Sequence, residues 1–253
     1  MINPRLTWRV FLRNLTVYRK TWLVSLSFNF VEPLLYLSAL GIGLGAYVQP
    51  INGIPYLNYL APGLVASSAV FATSYECTYG SFVRMEFQKT YYAIISTPAN
   101  VEDVIAGDIL FGAFKAVLYG SVILLVISAL GLVSSAMALL LPLVLAIAGI
   151  FFAAFAMTWV GLVPNIDSFN YFFSLIMTPL FLFSGIFFPI EGMPSVVQKA
   201  VWLSPLYHLV NLTRALTTGS AGTNLLSDLV WLVVAMCILL PDPIYLMRRL
   251  IIK

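Results

Sequence analysis

The sequence predicts an all-α integral membrane protein with six transmembrane helices, and its composition and patterning support this class. Of its 253 residues, 61% are hydrophobic and only 9% are charged, whereas soluble domains carry about 25% charged residues. The mean hydropathy is +0.97. The apolar residues form continuous blocks without a two-residue alternation, which favours helices over the strands of a membrane barrel.

Six apolar blocks are each long enough to cross a bilayer, since a membrane helix needs about 20 residues. We expect the spans at about 22–48, 56–82, 104–131, 137–163, 169–188 and 225–247. Asn100, with Asp103 three residues later, predicts a capping box that opens the third span. The element Pro241-Asp242-Pro243 matches no pattern that fixes the inner end of the last span.

The segment before the first span predicts an amphipathic interface helix at 4–20. Its basic residues fall near one helical face: Arg5, Arg9, Arg13 and Lys20. Its apolar residues recur at spacings of three and four on the other face: Trp8, Phe11, Leu15, Tyr18 and Trp22. Such a helix is expected to lie along the inner membrane surface. No small-residue cleavage site follows a short apolar core, so the first span should remain as an anchor.

The region 189–218, between the fifth and sixth spans, is semi-apolar and is interrupted by proline. Pro194, Pro205 and Gly219 divide it into pieces too short to cross a bilayer. We therefore expect two short re-entrant or interfacial helices on the outer side, at about 195–203 and 206–217. Their connecting backbone must be buried in protein or wetted.

The lysines and arginines predict the orientation. In a six-span topology, one side holds the basic residues of the N-terminal segment, of the loop after the second span and of the C-terminal tail. The opposite side holds only Lys199 and Arg214. Because basic residues concentrate in cytoplasmic loops, both termini should be cytoplasmic.

Several function classes lack their required motifs. No GxxxxGK[ST] loop is present, so the chain should bind no nucleotide phosphate. The single histidine, His208, has no acids or cysteines at triad or metal-ligand spacing, so we expect neither catalytic nor metal-binding residues. We expect His208 to be an interfacial hydrogen-bonding residue. Positive charges gather at the ends of spans instead of forming a patch, so no nucleic-acid partner is expected.

Four ionisable residues lie inside otherwise apolar blocks: Glu32, Glu76, Asp108 and Lys115. Charged groups are costly in lipid and normally face protein or water. Two interpretations remain open, namely that Lys115 forms a structural pair with an acid, or that these groups line a substrate path. The aromatic residues of the fifth span, Phe173 and Phe181 among them, are explained either by lipid-facing packing or by a path for an amphipathic substrate.

The segment 84–97, between the second and third spans, is mixed in polarity. A short helix here would present aromatic and charged side chains to a soluble partner, and the alternative is a solvated loop. The residues expected at this interface are Arg84, Glu86, Phe87, Gln88, Lys89, Tyr91 and Tyr92.

The run MTPLFLFSGIFFP at 177–189, followed by MP at 193–194 and LSPL at 203–206, resembles the C-terminal signature of bacterial ABC-2 type transporter permeases. Within that family, the chain looks most like the permeases of nodulation-factor exporters. The supporting stretches are EPLLY at 32–36, GIGLG at 41–45, APG at 61–63, YECTY at 75–79 and QKTY at 88–91. The resemblance covers nearly the whole chain.

This resemblance implies a transport subunit that is not an enzyme. Two such permeases would pair as a homodimer and bind two copies of a soluble ABC ATPase, which would hold ATP and Mg. The interface helix and a coupling helix within 86–95 would contact that ATPase. The dimer would export an amphipathic substrate, such as a lipo-oligosaccharide or lipid-linked glycan, across the bacterial inner membrane. The candidate substrate path comprises Glu32, Tyr59, Glu76, Phe173 and Phe181.

Three alternatives remain. The exported substrate could be a hydrophobic drug or natural product. A proton-coupled transporter would use Glu32, Glu76, Asp108 and Lys115 as its relay, although no inverted repeat with paired broken helices is evident. A membrane enzyme acting on lipids would need acids or histidines clustered at one membrane face, and the sequence has only scattered ones.

Overall fold

The computed structural model describes residues 2–51, 53–219 and 224–252, which form helices and no strand. The α-helices are α1 Pro4–Tyr36, α2 Tyr56–Tyr75, α3 Thr90–Ile95, α4 Val101–Ala129, α5 Leu141–Leu162, α6 Phe169–Tyr171, α7 Thr178–Leu182, α8 Ser195–Trp202, α9 Pro205–Thr218, α10 Leu225–Leu239 and α11 Pro241–Ile251. The predicted all-α class is confirmed.

Among the described residues, three helical stretches are long and apolar enough to cross a membrane: Val101–Ala129, Ala136–Leu162 and Leu225–Ile251. Two shorter apolar helical stretches are Phe30–Ala46 and Ile166–Leu182. These five stretches overlap the predicted first, third, fourth, fifth and sixth spans. The predicted second span, 56–82, begins at the first residue of α2.

The first helix differs from the prediction because it has no boundary between an interface helix and a span. α1 runs for 33 residues from Pro4 to Tyr36, where separate elements at 4–20 and 22–48 were expected. No glycine or proline occurs between Pro4 and Pro33, so nothing in the backbone interrupts the helix when the side chains change from amphipathic to apolar. The chain continues as a π-helical segment, Leu37–Gly43, and a short 3₁₀ turn, Leu44–Ala46.

The N-terminal half of α1 packs on protein. A Cβ atom at Gly107 of α4 would lie 2.7 Å from Val10 Cβ and 3.0 Å from the Thr7 carbonyl oxygen, so the absence of a side chain lets α1 approach α4 closely. The backbone N–H of Asn3 donates to Asp103 Oδ1 at 2.6 Å. The apolar face that sequence periodicity indicated therefore lies partly against α4, where Phe11 and Tyr18 are buried.

The ends of two helical rods differ from the ends of the predicted spans. The second helical rod does not stop at residue 82, because it continues beyond α2 through π-helical segments Glu76–Gly80 and Val83–Phe87. We call residues 76–87 the α2 extension. The fifth stretch ends at Leu182, not at residue 188, because Gly185 adopts φ +78°, a left-handed conformation that glycine accommodates without steric cost.

The predicted capping box is confirmed. Asn100 and Asp103 form the capping box at the start of α4, and the Asn100 N–H donates to Asp103 Oδ2 at 3.0 Å. Helices occur within a residue or two of the expected short pieces, as α8 and α9. Pro241 occupies the first turn of α11, directly after α10 ends, where a proline needs no backbone hydrogen bond.

The core lies where α2, α4 and α5 meet. A Cβ at Gly112 would lie 2.5 Å from Cys77 Sγ and 3.0 Å from Ala153 Cβ, and one at Gly149 would lie 2.7 Å from Ala116 Cβ. Small residues at these contacts let the helices pack closely, as membrane helices commonly do. The core holds the α2 extension against α4, and this contact positions the site described next.

Candidate functional site

Four charged side chains meet between the α2 extension and α4: Glu76, Arg84, Asp108 and Lys115. We call them the charged cluster. Arg84 Nη1 lies 2.5 Å from Glu76 Oε1, and Arg84 Nη2 lies 2.9 Å from Asp108 Oδ2. Lys115 Nζ lies 2.5 Å from Glu76 Oε2. Each of the four side chains is at most 12% exposed. The expected structural pairing of Lys115 with an acid is confirmed, and its partner is Glu76.

The local backbone of the α2 extension allows this arrangement. Glu76 and Arg84 are eight residues apart on one helical rod that widens into π-helical turns. A Cβ at Gly80, between them, would lie 2.8 Å from Glu76 Oε1 and 3.4 Å from Arg84 Nη1. The absence of a side chain at Gly80 therefore leaves room for the ion pair. Paired and hydrogen-bonded charges of this kind can be buried, whereas isolated ones cannot.

Asp108 connects four elements of the chain. Its Oδ1 accepts a hydrogen bond from Asn14 Nδ2 of α1 at 2.5 Å. Its Oδ2 accepts from Ser81 Oγ at 3.1 Å and from Arg84 of the α2 extension. The Tyr91 hydroxyl of α3 also donates to Oδ2. A displacement of α3 would therefore act directly on α1, the α2 extension and α4 through the Asp108 carboxylate.

The segment 84–97 contains a sharp turn followed by a short helix. Lys89 adopts φ 52°, a left-handed conformation uncommon for a residue with a side chain, and it separates the α2 extension from α3. Lys89 Nζ pairs with Glu86 Oε2 at 2.9 Å, and this hydrogen bond raises the pKa of Lys89. The expected helix within 86–95 is present as α3, over Thr90–Ile95.

The predicted interface residues of this segment divide into two groups. Phe87, Gln88 and Lys89 are exposed, and Phe87 is 66% exposed. Glu86 and Tyr92 are half-buried. Arg84 and Tyr91 face inward, and Tyr91 is only 1% exposed. Burial, followed by the neighbouring Asp108 carboxylate, holds the pKa of Tyr91 well above its ordinary value, so its hydroxyl keeps the proton that it donates.

The basic residues predicted on the interface helix also divide. Arg5, Arg9 and Lys20 are exposed. Arg13 is half-buried, and it donates to Asn14 Oδ1 at 3.0 Å and to Thr90 Oγ1 at 3.3 Å. Arg13 therefore connects α1 with the start of α3.

An aromatic face lies beside the charged cluster and consists of Tyr36, Phe71, Tyr75, Phe173 and Phe181. The Tyr75 and Phe173 rings stack with centroids 4.1 Å apart and planes inclined by 13°. Phe181 makes edge contacts with Phe71 at 5.5 Å and with Tyr36 at 5.6 Å. Glu32 is exposed and borders a small hollow that Tyr36, Tyr75 and Phe181 also line.

The five candidate substrate-path residues therefore do not form one site. The aromatic face includes Phe173 and Phe181, and Glu32 borders it. Glu76 instead points into the charged cluster. Tyr59 is 6% exposed, and its hydroxyl donates to the Gly185 carbonyl at 3.0 Å. Arg214 lies over the Tyr59 ring at 3.8 Å and also donates to the Gly185 carbonyl, at 2.8 Å. Tyr59 and Arg214 hold the turn that follows α7.

His208 is buried and hydrogen-bonded at both ring nitrogens. Its Nδ1 lies 2.6 Å from Asp228 Oδ1, and its Nε2 lies 2.7 Å from the Trp202 carbonyl oxygen. The ring stacks on Trp231 at a centroid distance of 4.4 Å. The expected hydrogen-bonding role is confirmed, and the residue joins α8, α9 and α10.

The helical class and the apolar stretches indicate a multi-helix membrane protein. The chain belongs to the ABC-2 type transporter family, whose model matches residues 5–217. Members of this family are membrane transport components and are not themselves catalytic.

Curated relatives cover most of the chain. It is 36% identical over 250 residues to "Nodulation protein J" of Rhizobium leguminosarum bv. trifolii. The aligned region covers 99% of this chain and 93% of the relative. It is 35% identical over 213 residues to "Nodulation protein J" of Rhizobium meliloti (strain 1021), with coverages of 84% and 80%. A more distant relative, at 24% identity over 207 residues, is "Inner membrane transport permease YadH" of Escherichia coli (strain K12), with coverages of 77% and 75%.

Sequence reasoning missed three residues of this region. Asn14 belongs to an amphipathic segment in which the basic residues gave the stronger signal. Ser81 lies within an apolar block, and no motif singles it out. Tyr75 was noted only as part of the family motif. Asn14 is 94 positions from Asp108 in the chain, and Ser81 is 27 positions from it. No local sequence pattern shows that both donate to Asp108.

Proposed function

We propose that this chain is the membrane subunit of an ATP-driven exporter. Two copies form a homodimer and bind two copies of a soluble ABC ATPase, which holds the ATP and Mg. The assembly lies in the bacterial inner membrane with both termini of the permease in the cytoplasm. No cofactor is assigned to this chain.

The observation that carries the proposal is the attachment of Tyr91 to Asp108. Phe87, Gln88 and Lys89 form an exposed tip on the segment 84–97, while Tyr91 inserts beneath that tip. Asp108 belongs to α4 and also accepts hydrogen bonds from α1 and the α2 extension. A force applied to the tip is therefore transmitted to α1, the α2 extension and α4 together. This is the contact expected of an element that transmits closure of an ATPase to the membrane helices.

The topology that supports this role has six spans. In it, α8 and α9 are the two re-entrant helices on the outer side, and the fifth span is the stretch ending at Leu182. The tip at 87–89 then lies on the same side as the basic tail residues Arg248 and Arg249 and the exposed Arg5 and Arg9. This distribution follows the rule that basic residues remain cytoplasmic.

We propose an amphipathic lipo-oligosaccharide as the substrate. Two features support this class: the similarity to proteins named "Nodulation protein J" over most of the chain, and the aromatic face. Aromatic rings offer a large apolar area, and the hydroxyls of Tyr36 and Tyr75 add polar groups to it. Such a face suits a substrate with both a sugar headgroup and an acyl chain. A hydrophobic drug or natural product is the alternative substrate, and it would need the rings but not their hydroxyls.

The proton-relay alternative has less support. Glu76, Asp108 and Lys115 belong to one cluster, but Glu32 borders the aromatic face instead. Each charge in the cluster is engaged in an ion pair with good geometry. A relay needs neighbouring groups that exchange protons, whereas these pairs favour fixed charges.

Purification of the tagged chain from its native membrane in mild detergent, followed by intact mass spectrometry, tests the proposed assembly. We expect a complex of two permeases with two ABC ATPase subunits, whose ATPase activity depends on the permease. A permease that purifies without an ATPase and moves substrate in vesicles without ATP would contradict the proposal.

A further inference from the structure

A cavity of ≈ 370 Å³ lies between α1, the α2 extension and α4. The α1 residues on its wall extend from Arg13 to Ser25, a distance of about 18 Å at 1.5 Å per residue. Glu76, Arg84 and Lys115 line it from the opposite side, and Val17, Tyr18 and Phe111 provide apolar wall. The cavity therefore combines charged walls with apolar ones, and its volume falls in the usual range for small-molecule sites, about 300–1,000 Å³.

The charges around this cavity do not balance. In the charged cluster, Arg84 and Lys115 offset Glu76 and Asp108, so the net charge of these four is zero. Arg13 adds one positive charge, and no carboxylate in the described part of the chain forms an ion pair with it. Its hydrogen-bond partners are the neutral Asn14 and Thr90. Burial, followed by repulsion from Arg84, lowers the pKa of Arg13, and the Asp108 carboxylate opposes this shift. An anion in the cavity would give Arg13 the ion-pair partner that it lacks among the described residues.

The chemistry of the wall specifies the kind of anion. Arg13 carries a planar guanidinium group, and such groups bind phosphate and carboxylate oxygens through paired hydrogen bonds. Arg84 contributes its charge, because its nitrogens are already hydrogen-bonded to Glu76, Ser81 and Asp108. The apolar wall of the cavity suits an acyl or glycerol portion. Arg5 and Arg9, which are exposed near the start of α1, would draw anionic lipids toward the same helix.

We propose that this cavity is a binding site for a phosphate-type oxyanion, carried by an anionic phospholipid of the inner leaflet, with Arg13 as its principal ligand. The site is distinct from the aromatic face and does not depend on the export function proposed above. Because such a lipid would contact α1, the α2 extension and α4 at once, its binding would stabilise their packing.

The test uses the complete chain purified in neutral detergent and measures binding of phosphatidylglycerol by native mass spectrometry and by the shift in melting temperature. Phosphatidylcholine serves as the uncharged comparison, and inorganic phosphate as the lipid-free comparison. We expect phosphatidylglycerol to bind and to raise the melting temperature, since a ligand that binds only the folded state stabilises it. Arg13→Gln should weaken this binding about tenfold, the effect of losing one charge-assisted contact.

Arg19→Gln is the matched control, because Arg19 is exposed on the same helix and its loss removes the same charge. The control should change the affinity less than about twofold, and Arg13→Lys should retain part of it because it keeps the charge but not the planar fork. Inorganic phosphate could bind as tightly as the lipid, with the same loss of affinity in Arg13→Gln. This result would support the oxyanion site and identify a soluble anion as its occupant. Equal losses in Arg13→Gln and Arg19→Gln, or no loss in Arg13→Gln when it melts like the parent protein, would overturn the proposal.

Discussion

The hydroxyl of Tyr91 donates to Oδ2 of Asp108, the same carboxylate oxygen that accepts from Arg84 and Ser81. Through this contact, a six-residue helix outside the apolar spans is attached to a carboxylate inside α4. We propose that the exposed tip beside that helix contacts a partner and that the buried hydroxyl within the helix transmits the partner's movement.

Tyr91→Phe tests transmission. The ring still fills its buried position, but Asp108 loses one donor, which should cost about 1 kcal/mol of stability. We expect less substrate transported per ATP hydrolysed, with ATPase binding unchanged. Transport and ATP hydrolysis measured together in vesicles containing the complex give this ratio. Tyr92→Phe is the control because Tyr92 is half-buried and makes no hydrogen bond to Asp108; an unchanged ratio in Tyr91→Phe would contradict the transmission role.

Phe87→Ala tests partner contact. Phe87 is 66% exposed at the tip of the segment, and buried aromatic anchors at interfaces contribute about 2 kcal/mol or more. We expect the affinity for the ATPase to fall at least about tenfold, while the permease melts at its usual temperature. Leu139→Ala, which removes another exposed apolar side chain near the start of the Ala136–Leu162 stretch, should leave the affinity unchanged. Equal affinities in the parent and Phe87→Ala would place the partner elsewhere.

Gly107→Ala tests the packing of α1 on α4. The new Cβ would lie 2.7 Å from Val10 Cβ, so the helices must separate, and overpacking of this kind costs about 1–3 kcal/mol. The melting temperature in detergent should fall. Gly192→Ala should change it little, since no atom lies within 4 Å of the new Cβ there. A parent-like melting temperature for Gly107→Ala would mean that α1 does not sit against α4.

Glu76 and Lys115 allow a double-substitution test of the charged cluster. Lys115→Met leaves Glu76 with Arg84 alone, and breaking a buried pair costs about 3–5 kcal/mol. The double variant Glu76→Gln with Lys115→Met should recover most of this loss, and it should retain ATP-dependent transport. Loss of all transport in a double variant that melts normally would instead favour the proton relay.

Phe173→Ala tests the aromatic face. It removes the ring that stacks on Tyr75 at 4.1 Å, so transport of a lipo-oligosaccharide should fall while ATPase binding stays unchanged. Leu175→Ala is the control, because Leu175 lies two residues away on the same helical stretch and is 69% exposed. Similar transport by the two variants would show that substrate does not use the aromatic face.

The all-α class, the capping box at Asn100 and the positions of α8 and α9 followed from the sequence because they depend on local patterns. Hydrophobic blocks and proline positions act within one or two turns of the chain. The fifth helical stretch ends six residues before the end of the predicted span, because residues 183–188 are mostly apolar, yet Gly185 turns the backbone there. Hydropathy does not distinguish a buried turn from a helix.

The site was only partly accessible from the sequence. Charged residues in apolar blocks identified Glu76, Asp108 and Lys115, and the pairing of Lys115 with an acid was one of two open interpretations. The inward position of Tyr91 could not be anticipated, because it depends on the left-handed turn at Lys89, a residue that seldom adopts that conformation. Glu32 and Glu76 both lie in apolar blocks of the sequence and were therefore grouped together. The fold separates them.

The most direct test of the central claim is transport of a labelled lipo-oligosaccharide into inside-out vesicles that contain the permease and its ATPase, with ATP or a proton gradient supplied separately. We predict uptake that requires ATP, persists when the proton gradient is collapsed, and falls in Tyr91→Phe. Uptake driven by the proton gradient without ATP would contradict it.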